Sequence, residues 1–188
     1  MNIQKIFNIF ILASGIFIFQ TTGWTAGTKV IFKTKVVVGT CEFDDSNDFN
    51  KVIDLTGGGY LMPSVVEKTS IKTPVITETF SYTVKCKNFV PGSQKEIKIQ
   101  TSATNDTVVE NGIFYSKNNE TNTGFTLKAC DSDNKNCQNS ENNNDIAVFH
   151  SQSDDLININ YHVSLVKRSH GVKPGISAAS VSLIYLQD

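Results

Sequence analysis

Residues 157–166 read ININYHVSLV and residues 80–86 read FSYTVKC. In the first stretch Ile157, Ile159, Tyr161, Val163 and Leu165 occupy alternate positions, as Phe80, Tyr82, Val84 and Cys86 do in the second. An extended chain points successive side chains to opposite faces, so a period of two gathers these residues on one face. A helix would need apolar residues three and four apart, and that spacing is scarce along the chain. A strand with one apolar face belongs to a sheet that covers a core on one side and meets water on the other.

Working outward, similar short apolar–polar runs predict strands over residues 29–38, 52–55, 96–101, 112–115, 125–129 and 177–186. Clusters of Gly, Asn, Asp, Ser and Pro separate them, each a turn-forming composition. Seven or eight such runs predict an all-β fold, an immunoglobulin-like sandwich.

The amino-terminal end does not share this pattern. Residues 6–19 (IFNIFILASGIFIF) form an apolar run of 14 residues behind a short polar start carrying Lys5. Small residues follow in QTTGWTA, residues 20–26. That is the layout of a secretory signal peptide, and the run is too short to span a bilayer comfortably. Residues 1–25 are therefore expected to be removed, with the cut between residues 23 and 27. About 163 residues remain, enough for one domain with a sizeable core. The formal net charge of the chain is −1, and losing Lys5 makes it one unit more negative. Nothing in that balance favours nucleic acid or insertion into a membrane after cleavage.

All four cysteines, Cys41, Cys86, Cys130 and Cys137, lie beyond the signal. An even number in an exported chain reads as two disulfides, of which three pairings exist. The spacing favours Cys41–Cys86 and Cys130–Cys137. With no CxxC pair and only His150, His162 and His170 as nitrogen ligands, no metal site is expected. Residues 131–145 (DSDNKNCQNSENNND) hold almost no apolar side chain and are expected to form a mobile loop. Their acids do not follow the calcium-loop pattern. No catalytic triad or phosphate loop is legible, since Gly57-Gly58-Gly59 is not followed by Gly-Lys-Ser/Thr. No enzyme activity and no cofactor are expected.

Three stretches, taken together, resemble the pilin subunits assembled by periplasmic chaperones and outer-membrane ushers. The first is AGTKVIFKTKVVVGTC, residues 26–41; the second runs from IDLTGGGYLMP (53–63) to TPVITETFSYTVKC (73–86); the third is HGVKPGISAASVSLIYLQD, residues 170–188. The short distance from the cut site to Cys41 is most similar to a minor tip or adaptor subunit of type 1-like pili. The resemblance implies a sandwich lacking its last strand, an incomplete pilin domain over residues 39–188, completed by donor-strand complementation. It implies that residues 26–38 are the donor extension, inserting Thr28, Val30, Phe32, Thr34 and Val36 into a neighbour. Val181, Leu183 and Tyr185 of the closing strand would border the groove that the chaperone grips. The implied partners are the periplasmic chaperone, the usher and neighbouring pilus subunits, and the implied location is the surface fimbria. The residues also allow another reading, in which 28–36 is an ordinary first strand and the chain a secreted Ig-like adhesin or binding module with a complete fold. A leading strand lying across its own sandwich is the observation that separates the two.

Overall fold

The computed structural model describes residues 28–35, 41–44, 50–86, 94–151 and 156–186, and within the first of these segments only the side chain of Val30. The expected signal peptide, residues 1–25, and Val36 lie outside the described residues. The chain forms β1 (Thr28–Lys35), β2 (Cys41–Phe43), β3 (Val52–Asp54), α1 (Pro63–Glu67), β4 (Pro74–Cys86), β5 (Lys95–Ala103) and β6 (Thr107–Glu110). It continues with β7 (Ile113–Ser116), β8 (Thr123–Cys130), β9 (Cys137–Asn139), β10 (Asp145–Ser151), β11 (Leu156–Lys167) and β12 (Ser177–Leu186). The fold is all-β, as expected, with two sheets. One has the order β10-β5-β12-β1-β3; the other runs β2-β4-β11-β8-β7-β6, with β9 beside β8.

The alternation that decides the fold places its residues as expected. Ile159, Tyr161, Val163 and Leu165 of β11, and Phe80, Tyr82 and Val84 of β4, are all buried. The two strands pair antiparallel from Leu156↔Lys85 to Val166↔Pro74, setting Tyr161 opposite Phe80. Their rings stack at 5.2 Å between centroids, and Tyr82 meets Phe80 edge-on at 5.6 Å. Phe43 touches Tyr82 at 5.7 Å and Tyr185 of the opposite sheet at 6.4 Å, so aromatic packing spans the sandwich. The solvent face of the same strand pair is a ladder of polar bonds: Thr77–Ser164, Ser81–Asn160 and Thr83–Asn158.

Both disulfides close between neighbouring strands. Cys41–Cys86 links β2 to β4 within one sheet, across 45 positions of chain, and Cys130–Cys137 links β8 to β9 across 7. Neither bridges the two sheets.

Residues 131–145 are loop, as their composition predicts, apart from β9 and the first residue of β10, and hydrogen bonds tie that loop down. The Asp131 carboxylate accepts the backbone N–H of Lys135 and of Asn136, and Asp145 accepts those of Glu141 and Asn142. Asn143 accepts the Ala103 N–H, and Asn144 the Ser102 hydroxyl. Gln138 on β9 donates to the carbonyl of Val148 on β10 and accepts its N–H, fastening the edge of one sheet to the edge of the other. The segment buries little apolar surface, as read from its sequence; side-chain amides and carboxylates order it instead by replacing backbone partners.

Candidate functional site

The seam between the leading strand and the closing strand is the place where the sequence puts function. β12 alternates strictly: Ser177, Ala179, Val181, Leu183 and Tyr185 are buried, and the residues between them are half-exposed. One edge of β12 is held by β5, antiparallel, from Val181↔Ala103 to Leu186↔Lys98. The other edge is held by β1, parallel, from Thr28↔Ser177 to Lys35↔Ile184. The edge that the resemblance leaves to a foreign strand is therefore filled, in this chain by itself, by its own leading strand.

The residues named from sequence meet here. Val30 is 2% exposed and lies opposite Ala179. Thr28, Phe32 and Thr34 stand at register positions opposite Ser177, Val181 and Leu183. Val181, Leu183 and Tyr185 are each 3% exposed or less. Val30, Ala179, Val181, Phe114, Phe125, Leu127 and Val163 line a small apolar crevice of about 10 Å³. Burying a side chain such as Val30 contributes roughly 1.5–3 kcal/mol.

A second wall comes from β3, which the sequence identifies as a strand but not as part of a site. It pairs antiparallel with β1 at Lys29↔Asp54, Val30↔Ile53 and Ile31↔Val52, and no further. The Asp54 carboxylate closes the turn after β3, accepting the Thr56 N–H at 2.9 Å, the Thr56 hydroxyl at 2.8 Å and the Gly58 N–H at 2.8 Å. Those bonds, the Thr56 hydroxyl first, hold its pKa below the ordinary carboxylate value. Gly57 and Gly58 have φ of 59° and 82°, which explains the glycines read as turn chemistry.

Beyond the turn, α1 leans on the loop that leads into β12. Glu67 accepts the Val172 N–H at 2.8 Å, and the buried Lys167 ammonium donates to the Glu67 carbonyl at 2.7 Å. The Val172 bond is the main cause of a lowered Glu67 pKa. Asn119 reaches from the β7–β8 loop to the Ser177 hydroxyl at 3.3 Å and the Thr123 carbonyl at 2.7 Å. Short polar segments of this kind carry no periodicity, so sequence reasoning had no signal for them. Chemically, the seam can do one thing: hold an extended peptide by backbone hydrogen bonds and an apolar face.

No protein-family model matches the chain, and no curated protein matches it. Among solved structures, the receptor binding domain of the plasmid-borne adhesin MrkD1P of Klebsiella pneumoniae is similar to 66% of this chain. The match covers 86% of that domain, at 11% identity and a TM-score of 0.37. At that level the likeness carries no assignment of function to this chain.

Proposed function

We propose that this chain is a structural subunit of a bacterial surface fimbria, assembling by exchange of its leading strand and contributing to adhesion. Val30 is the part of the donor strand seated in the core, and Thr28, Phe32, Thr34 and Val36 continue the inserted face. Val181, Leu183 and Tyr185 form the receiving strand, gripped first by a periplasmic chaperone at the usher and then by a neighbouring subunit. A minor tip or adaptor position suits the short connection to Cys41.

The support for this reading is the kind of seat β1 occupies, although its lying across its own sandwich is what the complete module predicts. β1 is the first described strand, it is connected to the rest through five residues (36–40), and it lies beside the closing strand in parallel. Exchange of such an element between identical seats needs no new interaction, only a different source of the same strand. Its parallel ladder is the weaker kind per residue, and β3 covers its other edge at three positions only.

The same pairing favours a second reading, a secreted Ig-like binding module with a complete fold, because the strand that could be donated already closes the sandwich. The two are separated by offering the mature protein a labelled peptide of residues 26–38, and by co-expression with a cognate chaperone. A fimbrial subunit captures the peptide over hours and is recovered one-to-one with the chaperone. Stable monomer that captures neither is the complete module.

A further inference from the structure

The two disulfides differ in how solvent reaches them. Cys41 (0% exposed) and Cys86 (6%) are both buried, so the fold shields that bridge from either side. In the second bridge Cys130 is buried as well, at 0%, but Cys137 on β9 is exposed. Cys137 lines an open groove of about 510 Å³ with Lys135, Asn136, Gln138, Val148 and His150. A space of that size suits a small molecule.

The loop closed by this bridge is also held without it. The Asn160 amide donates to the Asp131 carbonyl at 3.3 Å, to the Ser132 carbonyl at 3.2 Å and to the Asn134 side-chain oxygen at 3.2 Å. His162 Nε2 meets the same Asn134 oxygen at 3.1 Å. The Asp131 carboxylate keeps the N–H groups of Lys135 and Asn136, and Gln138 keeps both bonds to Val148. Breaking the sulfur–sulfur bond therefore disturbs the fold locally, whereas opening Cys41–Cys86 releases a loop of 45 positions.

We propose that Cys130–Cys137 is a thiol-exchange site, where a small thiol enters the groove and is captured on Cys137 as a mixed disulfide. The incoming thiolate attacks the Cys137 sulfur, the reachable one of the pair, and the bond to Cys130 breaks. The electron pair of that bond leaves on Cys130, which takes a proton from solvent and becomes a thiol. One disulfide replaces another, so no separate oxidant or reductant is consumed. Cys130 stays buried, where a charged thiolate is disfavoured, and its return attack on Cys137 is slow. The captured thiol persists for that reason. Cys41 and Cys86 offer no such entry.

The test incubates the oxidised, folded full chain with millimolar reduced glutathione, a tripeptide thiol. Samples are quenched by alkylation in denaturant, and the cysteine-containing peptides are weighed by mass spectrometry. A glutathione adduct on Cys137 with Cys130 alkylated should accumulate at least about tenfold faster than any opening of Cys41–Cys86. Hydrogen exchange at residues 159–166 should keep its protection throughout, showing that the folded protein reacts. The same tripeptide fused to a folded carrier domain should be captured at least about threefold more slowly, since the groove admits a small molecule. Equal capture of the free and carrier-borne thiols overturns the small-molecule assignment. Adducts on Cys41 or Cys86 at a similar rate, adducts that appear only as residues 159–166 lose protection, or no adduct on Cys137 at all overturns the exchange site itself.

Discussion

β11 and β1 both carry apolar residues at alternate positions, Ile157 to Leu165 in one and Val30 and Phe32 in the other, yet the fold holds them very differently. β11 is flanked along most of its length on both edges, by β4 and β8, both antiparallel. Ile159 and Val166 are fully buried on it. β1 has a parallel neighbour on one edge and three paired residues of β3 on the other. A period of two identifies a strand and its inward face. It does not specify the neighbour, its direction, or which chain supplies it, and those decide how tightly the strand is held.

The largest test of that difference introduces a charge into each strand. Ile159→Asp places an unpaired carboxylate in a dry core, at a cost above about 4 kcal/mol, and should leave no soluble folded protein. Val30→Asp, by contrast, should expel β1 alone. Native-state hydrogen exchange should then show residues 177–184 losing protection about a hundredfold while residues 159–166 keep theirs. Global unfolding of the Val30→Asp protein would make β1 as integral as β11 and remove the contrast.

The disulfides sharpen the comparison at intermediate size. Cys41→Ala with Cys86→Ala opens a loop of 45 positions and should cost about 4 kcal/mol; Cys130→Ala with Cys137→Ala opens one of 7 and should cost about 2.5 kcal/mol. Urea denaturation of the two double variants checks the order, and a reversed order would mean that β9 does more for the fold than its three residues indicate.

A smaller effect, of opposite sign, belongs to the centre of β11. The Tyr161 hydroxyl is buried and has no hydrogen-bond partner among the described residues, and burial pushes its pKa up, so it stays protonated. Leaving a buried hydroxyl unpaired costs more than deleting it. Tyr161→Phe keeps the stack on Phe80 and should raise stability by up to about 1 kcal/mol, read as a higher melting temperature. A loss of that size instead would reveal a partner for the hydroxyl.

What the sequence made legible follows the same division. β11, β12 and the second half of β4 were readable because long alternation has one physical cause, a half-buried sheet. The first half of β4 was not, since Pro74–Thr79 alternates neither in sequence nor in burial. β2, β6 and β9, three or four residues long, were not read as strands. Residues 131–145 were legible as a loop but their bonding was not, because composition reports how much apolar surface a segment can bury, while Asp131, Gln138, Asn143 and Asp145 bond to backbone. At the seam, the alternation of β12 was legible. The placement of β1 in its own sheet was not, because an identical pattern serves a donated strand and a retained one.

The smallest expected effect is a pH dependence confined to the weaker strand. Asp54 ends β3 opposite Lys29 of β1, and its carboxylate binds Thr56 and Gly58 while staying exposed. Its folded pKa lies below the ordinary carboxylate value, chiefly through the Thr56 hydroxyl. A depressed carboxylate pKa contributes stability that is fully present above the unfolded value and is lost as pH falls through the folded one. An exposed group of this kind is well screened, so global stability should hardly register it. The turn after β3 should loosen first, and β1 then loses its second edge. Hydrogen exchange corrected for intrinsic rates should therefore quicken at residues 28–31 and 52–58 below about pH 4, while residues 159–166 do not respond. Asp54→Asn keeps the size of the side chain and removes the titration, so its exchange at those positions should be flat across the same range. If the acid sensitivity survives that substitution, the grip on β1 resides in β12 alone and β3 is only a cover.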